Sequence, residues 1–202
     1  MKTTLKIISL FFIVVIILVT YLSIVGIETT KFNNQIKKKV ENIDNNLSLD
    51  LKKVEIFLNP LKLNLRAKTL GTRIIKEDKY LEIENIKINI SLKSLISGEF
   101  AIENVQISTK SIEISNLISF SRLIYQIPEL IIFEKLFDIK GYIIANIKIE
   151  FDKDGRVKDN YIFSGFVKDT KANLSKDYRL TKLNLAYYIT KENINLENLN
   201  VK

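Results

Sequence analysis

The sequence contains neither cysteine nor histidine, and these two absences remove most of the common catalytic and metal-binding chemistry. Without cysteine there is no disulfide, no thiolate nucleophile and no cysteine-based zinc site. Without histidine, the Ser-His-Asp and Cys-His arrangements and histidine-ligated zinc are excluded as well. The remaining routes to catalysis would need carboxylates, lysine, tyrosine or a hard metal ion. We therefore expect a protein that is not an enzyme and has no cofactor and no metal site.

Motifs that bind phosphate or calcium are missing or incomplete. The sequence has no glycine-rich phosphate loop and no Walker pattern. Residues 152–155 (DKDG) resemble the start of a calcium loop, but the remaining ligands are absent, and we interpret them as a turn. Glu-Asn pairs at residues 84–85, 103–104 and 197–198 recur along the chain, whereas general acid–base catalysis needs groups that converge in one pocket. We interpret these pairs as bulge or turn residues.

Composition favours a folded domain with a basic surface. Of the 202 residues, 47% are hydrophobic and 27% are charged, which is enough for a core and argues against disorder. The formal net charge of +8 predicts affinity for polyanions. Aromatic residues are not interleaved with arginine as on a base-stacking surface, so we expect no nucleic acid and favour an anionic membrane surface. Alternatively, an AT-rich genome explains the lysine content, and the charge only keeps the surface soluble.

The N-terminus predicts a transmembrane anchor. Lys2 and Lys6 precede an uncharged, mostly apolar run over residues 7–27, which is long enough to cross a bilayer as a helix. A cleavable signal peptide has a shorter apolar region followed by an Ala-x-Ala-like site, and no suitable site follows this run. We therefore predict that residues 1–27 form an uncleaved transmembrane signal anchor.

Charges on the two sides of the span give mixed evidence about its orientation. Lys2 and Lys6 favour a cytoplasmic N-terminus, whereas Lys31 and the lysines at 37–39 oppose it. We choose the cytoplasmic N-terminus because a short N-terminus ahead of a long β-rich body is usual for a signal anchor. The predicted location is the inner membrane, crossed once, with the body in the periplasm.

The segment that follows the span predicts an amphipathic connecting helix over residues 28–46. Phe32, Ile36, Val40 and Ile43 recur at intervals of three or four residues and share one helical face. Such a helix could lie on the membrane surface, or it could cap one end of a sheet. We favour the cap.

Residues 79–115 contain a repeated pattern that predicts bulged strands. The segments IENIKI (83–88) and IENVQI (102–107) match, and LENLNV (196–201) is a third copy. Each alternates polar and apolar residues, as in a strand with one buried face, but the alternation slips by one residue at the Glu-Asn pair. We interpret this slip, and a similar one at Lys52-Lys53, as bulges in long, curved antiparallel strands. The alternative is that each Glu-Asn pair is a tight turn between two very short strands.

Two hairpins are predicted in the rest of the chain. The first joins residues 47–59 and 61–75 through a turn at Asn59-Pro60. The second turns at residues 153–156, after alternation resumes at Gly141.

Short helices are predicted between the strands, near Leu92 and over residues 116–127 with Asn116 as the cap. Residues 129–139 predict a second short helix or a packed loop. The β-rich domain then covers residues 47–202. The predicted fold class is a membrane-anchored, mostly β protein in which an N-terminal transmembrane helix precedes a curved, bulged antiparallel sheet with short helical insertions.

This order of elements, together with the segment SLKSLISGEFAI at residues 91–102, resembles the N-terminal part of the AsmA-like proteins. That envelope family also includes the TamB and YhdP proteins, and the resemblance covers about residues 2–120. One departure is Thr109-Lys110-Ser111, where relatives often place a proline before the last strand. The resemblance implies a periplasmic body anchored in the inner membrane, contact with outer-membrane proteins, and a role in phospholipid transport between membranes or in outer-membrane integrity.

An apolar stripe along the strands is the candidate functional feature. Its residues are Leu47, Leu49, Leu63, Leu65, Ile86, Ile88, Val105, Ile107, Ile147 and Ile149. One interpretation is an ordinary core under the predicted helices. The other is that the curved sheet leaves part of the stripe open as a groove for phospholipid acyl chains, since a large exposed apolar area marks a binding surface.

Two other functions compete with phospholipid transport. An LptC-like component of lipopolysaccharide transport also has one span and a β jelly roll of about this size. An envelope tether or assembly factor would use the whole stripe as core. The chain stops in what is predicted to be a sheet, and because end units of repetitive folds need caps, we expect it to be the N-terminal portion of a longer protein or a shortened member.

Overall fold

The structure is a computed structural model that describes residues 2–42, 46–124, 136–175 and 177–201. These residues form a long apolar helix followed by an antiparallel sheet of twelve strands with short helices between them. In chain order the elements are α1 (Lys2–Ile24), β1 (Ile27–Thr29), α2 (Asn33–Glu41), β2 (Leu47–Asp50), β3 (Lys53–Asn59), β4 (Asn64–Leu70), β5 (Thr72–Lys76), β6 (Lys79–Ser91), α3 (Leu92–Ser97), β7 (Ile102–Thr109), β8 (Ile112–Glu113), α4 (Ile114–Ile124), β9 (Lys140–Glu150), β10 (Ile162–Asn173), β11 (Arg179–Ile189) and β12 (Ile194–Val201).

Helix α1 is the one described helix that is long and apolar enough to cross a membrane. Its apolar part, Lys6–Ile24, has 19 residues, none of which is buried, and only its C-terminal end contacts the sheet, next to β3. A helix of this length and composition is compatible with the anchor predicted over residues 1–27. The chain leaves the helix at Ile24 and enters the sheet directly as β1, because Ile27 pairs with Ile56 of β3.

The strands lie in the order β1-β3-β4-β6-β7-β9-β10-β11-β12, and all their pairings are antiparallel. The short strands β2, β5 and β8 extend this sheet at one end, where β5 pairs with both β2 and β6 and β8 pairs with β9. Strand β6 is therefore long enough to pair with β5 near its start and with β4 near its end. The predicted first hairpin is confirmed, with each of its two arms interrupted once.

The interruptions coincide with a bend that crosses neighbouring strands. Strand β4 passes into β5 at Gly71, whose φ of +61° is costly for residues with a Cβ atom. The side chains of Thr69 and Thr72 are buried at this bend, where the Thr72 hydroxyl lies 2.7 Å from Thr69 Oγ1. Thr69 Oγ1 also accepts a hydrogen bond of 3.0 Å from the Ile86 amide. The Thr69 hydroxyl thus takes the place of a backbone acceptor for the Ile86 amide, next to the bulge in β6.

The three Glu-Asn pairs lie inside continuous strands, as the bulge interpretation predicts, and the tight-turn alternative is wrong. Glu84 is an extra residue between the pairs that β6 makes with Thr109 and Ser108. Glu103 is an extra residue of β7 in the same ladder. In β12 the register against β11 shifts at the third Glu-Asn pair, residues 197–198, where Asn198 has a φ of 54°. Bulges increase the bend and twist of a strand, so the repeated motif curves the strands of this sheet.

Helix α2 covers one end of the sheet. Ile36 and Val40 pack against a buried cluster formed by Leu49, Leu51 and Val54. The cap alternative for the connecting segment is therefore confirmed. The helix is shorter than the predicted residues 28–46, because the chain first adds β1 to the sheet edge.

Helix α4 covers the neighbouring part of the same end. Its Phe120, which is only 3% exposed, joins a buried cluster with Leu81 and Ile112. The helix starts at Ile114 and not after an Asn116 cap, because β8 runs directly into it. The predicted end of this helix and most of the predicted segment 129–139 fall at residues 125–135, which lie outside the described residues.

Helix α3 is held by caps at both ends. Ser91 Oγ accepts a hydrogen bond of 3.1 Å from the Ser94 amide, and Gly98 adopts the left-handed conformation after the last turn. We expect Ser91→Ala to reduce the free energy of unfolding by about 1 kcal/mol, which lowers the melting temperature by about 2–4 °C. Calorimetry measures this shift. Ser97→Ala is the matched control and should leave the melting temperature unchanged, so an equal shift in both variants would contradict the cap.

Candidate functional site

One face of the sheet is apolar over most of its width. Residues directly opposite each other in an antiparallel ladder share a face, and Ile88 lies opposite Ala67 on one side and Val105 on the other. Following these pairs across the sheet defines the apolar face: Leu58, Leu65, Ile86, Ile88, Ile90, Val105, Ile107, Ile147, Ile149, Phe163 and Ile189. The bulges keep these residues in phase from strand to strand.

The apolar face differs in burial from the core beside it. Leu49, Leu81 and Phe120 are buried beneath α2 and α4 at one end of the sheet. The residues of the apolar face are half-buried, except Phe163, which is exposed. The described part of the chain therefore buries its core at one end of the sheet and leaves the middle of the face partly open to solvent.

Seven of the ten predicted groove residues come together on the apolar face. They are Leu65, Ile86, Ile88, Val105, Ile107, Ile147 and Ile149. Ile107 is typical, since it lies between Ile86 of β6 and Ile147 of β9.

Three predicted groove residues lie elsewhere. Leu49 is 4% exposed and belongs to the core under α2, and Leu47 packs against the cluster of Leu81 and Phe120. Leu63 is not on a strand, because the turn after β3 extends through it and gives it a φ of 49°. The prediction that these residues line the groove is therefore corrected for Leu47, Leu49 and Leu63.

Leu58, Ile90, Phe163 and Ile189 belong to the apolar face but were not among the predicted residues. Ile90 follows Ile88 by two positions, and Leu58 follows Ile56 by two, so strand alternation would have found both. Phe163 lies opposite Ile147 through a pairing distant in sequence, and only the register of β9 with β10 reveals it.

A tyrosine joins neighbouring strands at the far part of the apolar face. Tyr187 of β11 lies opposite Gly165 of β10, and its hydroxyl donates a hydrogen bond of 3.2 Å to the Ile144 carbonyl of β9. Burial raises the pKa of Tyr187. The Tyr187 hydroxyl thus lies next to Gly165 of β10 and links β11 to β9.

The opposite face of the sheet carries ion pairs. Glu82 accepts a hydrogen bond of 2.8 Å from Lys110 Nζ, and Arg73 Nε lies 3.4 Å from its other oxygen. The Lys110 hydrogen bond, followed by the charges of Lys110 and Arg73, holds the pKa of Glu82 below its ordinary value. These residues keep that face compatible with water.

A second ion pair lies on the same polar face. Glu150 lies 2.6 Å from Lys148 Nζ and accepts a hydrogen bond of 2.7 Å from Asn160. The hydrogen bond from Lys148, then that from Asn160, lowers the pKa of Glu150. Around these ion pairs the sheet is thus amphipathic, with charged groups on one face and aliphatic groups on the other. Farther along β9, β10 and β11 the same polar face also carries the exposed residues Ile144, Phe166 and Tyr188.

The DKDG segment is a turn, as the sequence predicts. Asp152 Oδ1 accepts hydrogen bonds of 2.9 Å from the amides of Asp154 and Arg156, and the Arg156 amide is the largest cause of the lowered pKa of Asp152. Gly155, with a φ of +81°, completes the turn. The carboxylate is therefore used to organise the hairpin.

Comparison of the chain with protein-family models, with curated proteins and with solved structures finds no match. The apolar face itself is therefore the guide to function. Its chemistry is that of an aliphatic surface which can shield hydrocarbon from water, since each CH₂ group transferred contributes about 0.8 kcal/mol.

Proposed function

We propose that the protein is anchored in the inner membrane by α1 and that its apolar face holds phospholipid acyl chains in an open groove. It thereby contributes to phospholipid transport between membranes, or to outer-membrane integrity. The observation that carries the proposal is the half-burial of residues such as Ile88, Val105 and Ile147, next to a core that is fully buried under two helices.

The energetics favour an apolar ligand on this face. Aliphatic side chains that remain in contact with water gain free energy when hydrocarbon covers them, at about 25 cal/mol per Å². An acyl chain also gains, by about 0.8 kcal/mol for each CH₂ group that leaves water. The groove offsets part of the cost of extracting a lipid from the bilayer, while the head group stays in water. No energy source is needed within the groove, so the direction of transport is set elsewhere.

The membrane topology is part of the same proposal. Helix α1 has the length and composition of a span, and the charge pattern of Lys2 and Lys6 favours a cytoplasmic N-terminus. The sheet then lies in the periplasm, as the resemblance to AsmA-like proteins implies. Outer-membrane proteins are the expected partners at the outer-membrane end of phospholipid transport.

Site-specific photocrosslinking tests the proposal. We expect Val105→p-benzoylphenylalanine, in the full chain expressed in a Gram-negative host, to form adducts with the mass of phospholipid after irradiation. The control is the same photoreactive residue at Gln106, which is the next residue of β7 and lies on the polar face opposite Lys87 and Lys148. It should form no lipid adduct. Mass spectrometry of the purified protein measures both.

The outcomes distinguish the competing functions. Adducts with lipopolysaccharide would support the LptC-like alternative. The absence of any lipid adduct at Val105, or equal adducts at both positions, would contradict a lipid groove and leave an envelope tether.

A further inference from the structure

The end of the sheet from which α1 leaves carries exposed aliphatic residues. The turn between β3 and β4 presents Leu61, which is 96% exposed, and Leu63. Helix α3 presents Ile96, which is 88% exposed, and Leu95. Together with Lys62 and Lys93, these residues form what we call the apolar rim.

The two parts of the rim are joined to each other. The amide of Leu92, the first residue of α3, donates a hydrogen bond of 2.9 Å to the carbonyl of Leu63. Asn64, the next residue, lies opposite Ser91, which caps α3. The turn and the helix are therefore neighbours at one end of adjacent strands.

The rim lies beside the last turn of α1. Ser23 of α1 and Leu61 of the turn line the same open cavity of about 360 Å³, together with Phe57 and Pro60. Gly26, just after the helix, approaches Phe57 so closely that a Cβ atom there would lie 2.8 Å from its ring. Leu61 therefore lies near the C-terminal end of α1, at about the same level.

The length of α1 fixes the depth of that level in a bilayer. Its apolar segment of 19 residues spans about 28 Å at a rise of 1.5 Å per residue, against a hydrocarbon thickness of about 30 Å. The last turn of the helix must then lie at the boundary between hydrocarbon and head groups. Residues at the same level lie in the interface and not in bulk water.

We propose that the apolar rim is a second membrane contact, which inserts into the interface of an anionic phospholipid bilayer beside α1. The composition fits this partner, since aliphatic residues enter the acyl boundary while Lys62 and Lys93 meet the head groups. This inference rests on the proposed anchoring by α1.

The rim contact would also orient the groove. Leu58, Leu65 and Ile90 form the last rung of the apolar face before the turn and α3 begin. With the rim in the interface, the open face starts at the bilayer surface. Acyl chains then reach the groove without crossing a layer of water.

Tryptophan fluorescence tests the rim, because the chain contains no tryptophan. We expect Leu61→Trp and Ile96→Trp in the full chain, reconstituted in phosphatidylcholine–phosphatidylglycerol vesicles, to show blue-shifted emission. Phospholipids brominated in the acyl chain should quench both about twice as strongly as they quench the control, since the interface places such residues within about 5–10 Å of the acyl boundary. The control is Tyr178→Trp, an exposed position between β10 and β11 at the opposite end of the sheet.

A charge variant and a flotation assay separate the possible failures. Lys62→Glu with Lys93→Glu should reduce the quenching of Ile96→Trp in the anionic vesicles. Flotation in alkaline carbonate reports insertion of α1 independently.

Protein that floats but shows equal quenching at residues 61, 96 and 178 would overturn the rim while leaving the anchor intact. A blue shift without quenching by brominated lipid would also overturn it, because that result indicates contact with a protein surface. Crosslinking at Val105 is a separate readout, so failure of the rim and failure of the groove are distinguishable.

Discussion

Gly165→Ala is expected to destabilise the sheet by about 3 kcal/mol, near the upper end of what overpacking usually costs. A Cβ atom at this position would lie 1.9 Å from the backbone carbonyl oxygen of Ile144 and 2.8 Å from the hydroxyl of Tyr187. The Ile144 carbonyl cannot move easily, because it belongs to the backbone of the neighbouring strand and also accepts the Tyr187 hydrogen bond. For a chain of this size the change corresponds to about 6–12 °C in melting temperature.

Gly98→Ala is the matched control for this prediction. Gly98 has a φ of +72°, but no atom lies within 4 Å of a Cβ atom built there. Its cost is then the left-handed conformation alone, about 1 kcal/mol. Thermal unfolding followed by circular dichroism measures both variants. Equal losses in the two would show that crowding by Ile144 and Tyr187 is unimportant.

Ile147→Asp is expected to reduce the phospholipid that remains bound to the purified protein by about tenfold. The side chain lies between Ile107 and Phe163 on the apolar face, where a carboxylate would have to be desolvated by the acyl chain. A tenfold loss corresponds to about 1.4 kcal/mol of binding free energy. Quantitative lipid mass spectrometry on the full chain, purified in the same detergent, measures the change.

Asn146→Asp provides a closely matched control. It alters the net charge by the same amount one residue away, at an exposed position on the polar face, and should retain the lipid. Phe120→Asp serves as the reference for a true core position and should unfold the domain. If Ile147→Asp unfolds the protein as Phe120→Asp does, the face is closed core and the groove is wrong.

Local sequence patterns were sufficient to predict several features of the fold. The uncharged run predicted α1, and the spacing of Ile36 and Val40 predicted the helix that caps the sheet. The slip in alternation at Glu84 and Glu103 predicted the bulges, because a strand with one buried face can absorb a phase change only through an extra residue.

The predictions that were wrong concern residues whose local sequence patterns are alike and whose structure is determined by tertiary contacts. Leu61 and Leu63 alternate with polar residues as in a strand, yet Pro60 begins a turn that includes both. Leu49 and Ile88 have the same alternation, and only the position of α2 makes one of them core and the other half-buried. The contact of Tyr187 with Gly165 depends on a pairing that no local pattern encodes.

Strand β6 links the buried core to the half-buried apolar face. Its first residues pair with β5 beneath the helices, and its last residues pair with β4 and lead into α3. Because one unbroken backbone carries both sets of ladder bonds, neither region can open without straining the other. Sheet and core are therefore expected to unfold as one cooperative unit, with the slowest amide exchange along the centre of this strand. That rigidity lets the open face stay in one shape when nothing occupies it.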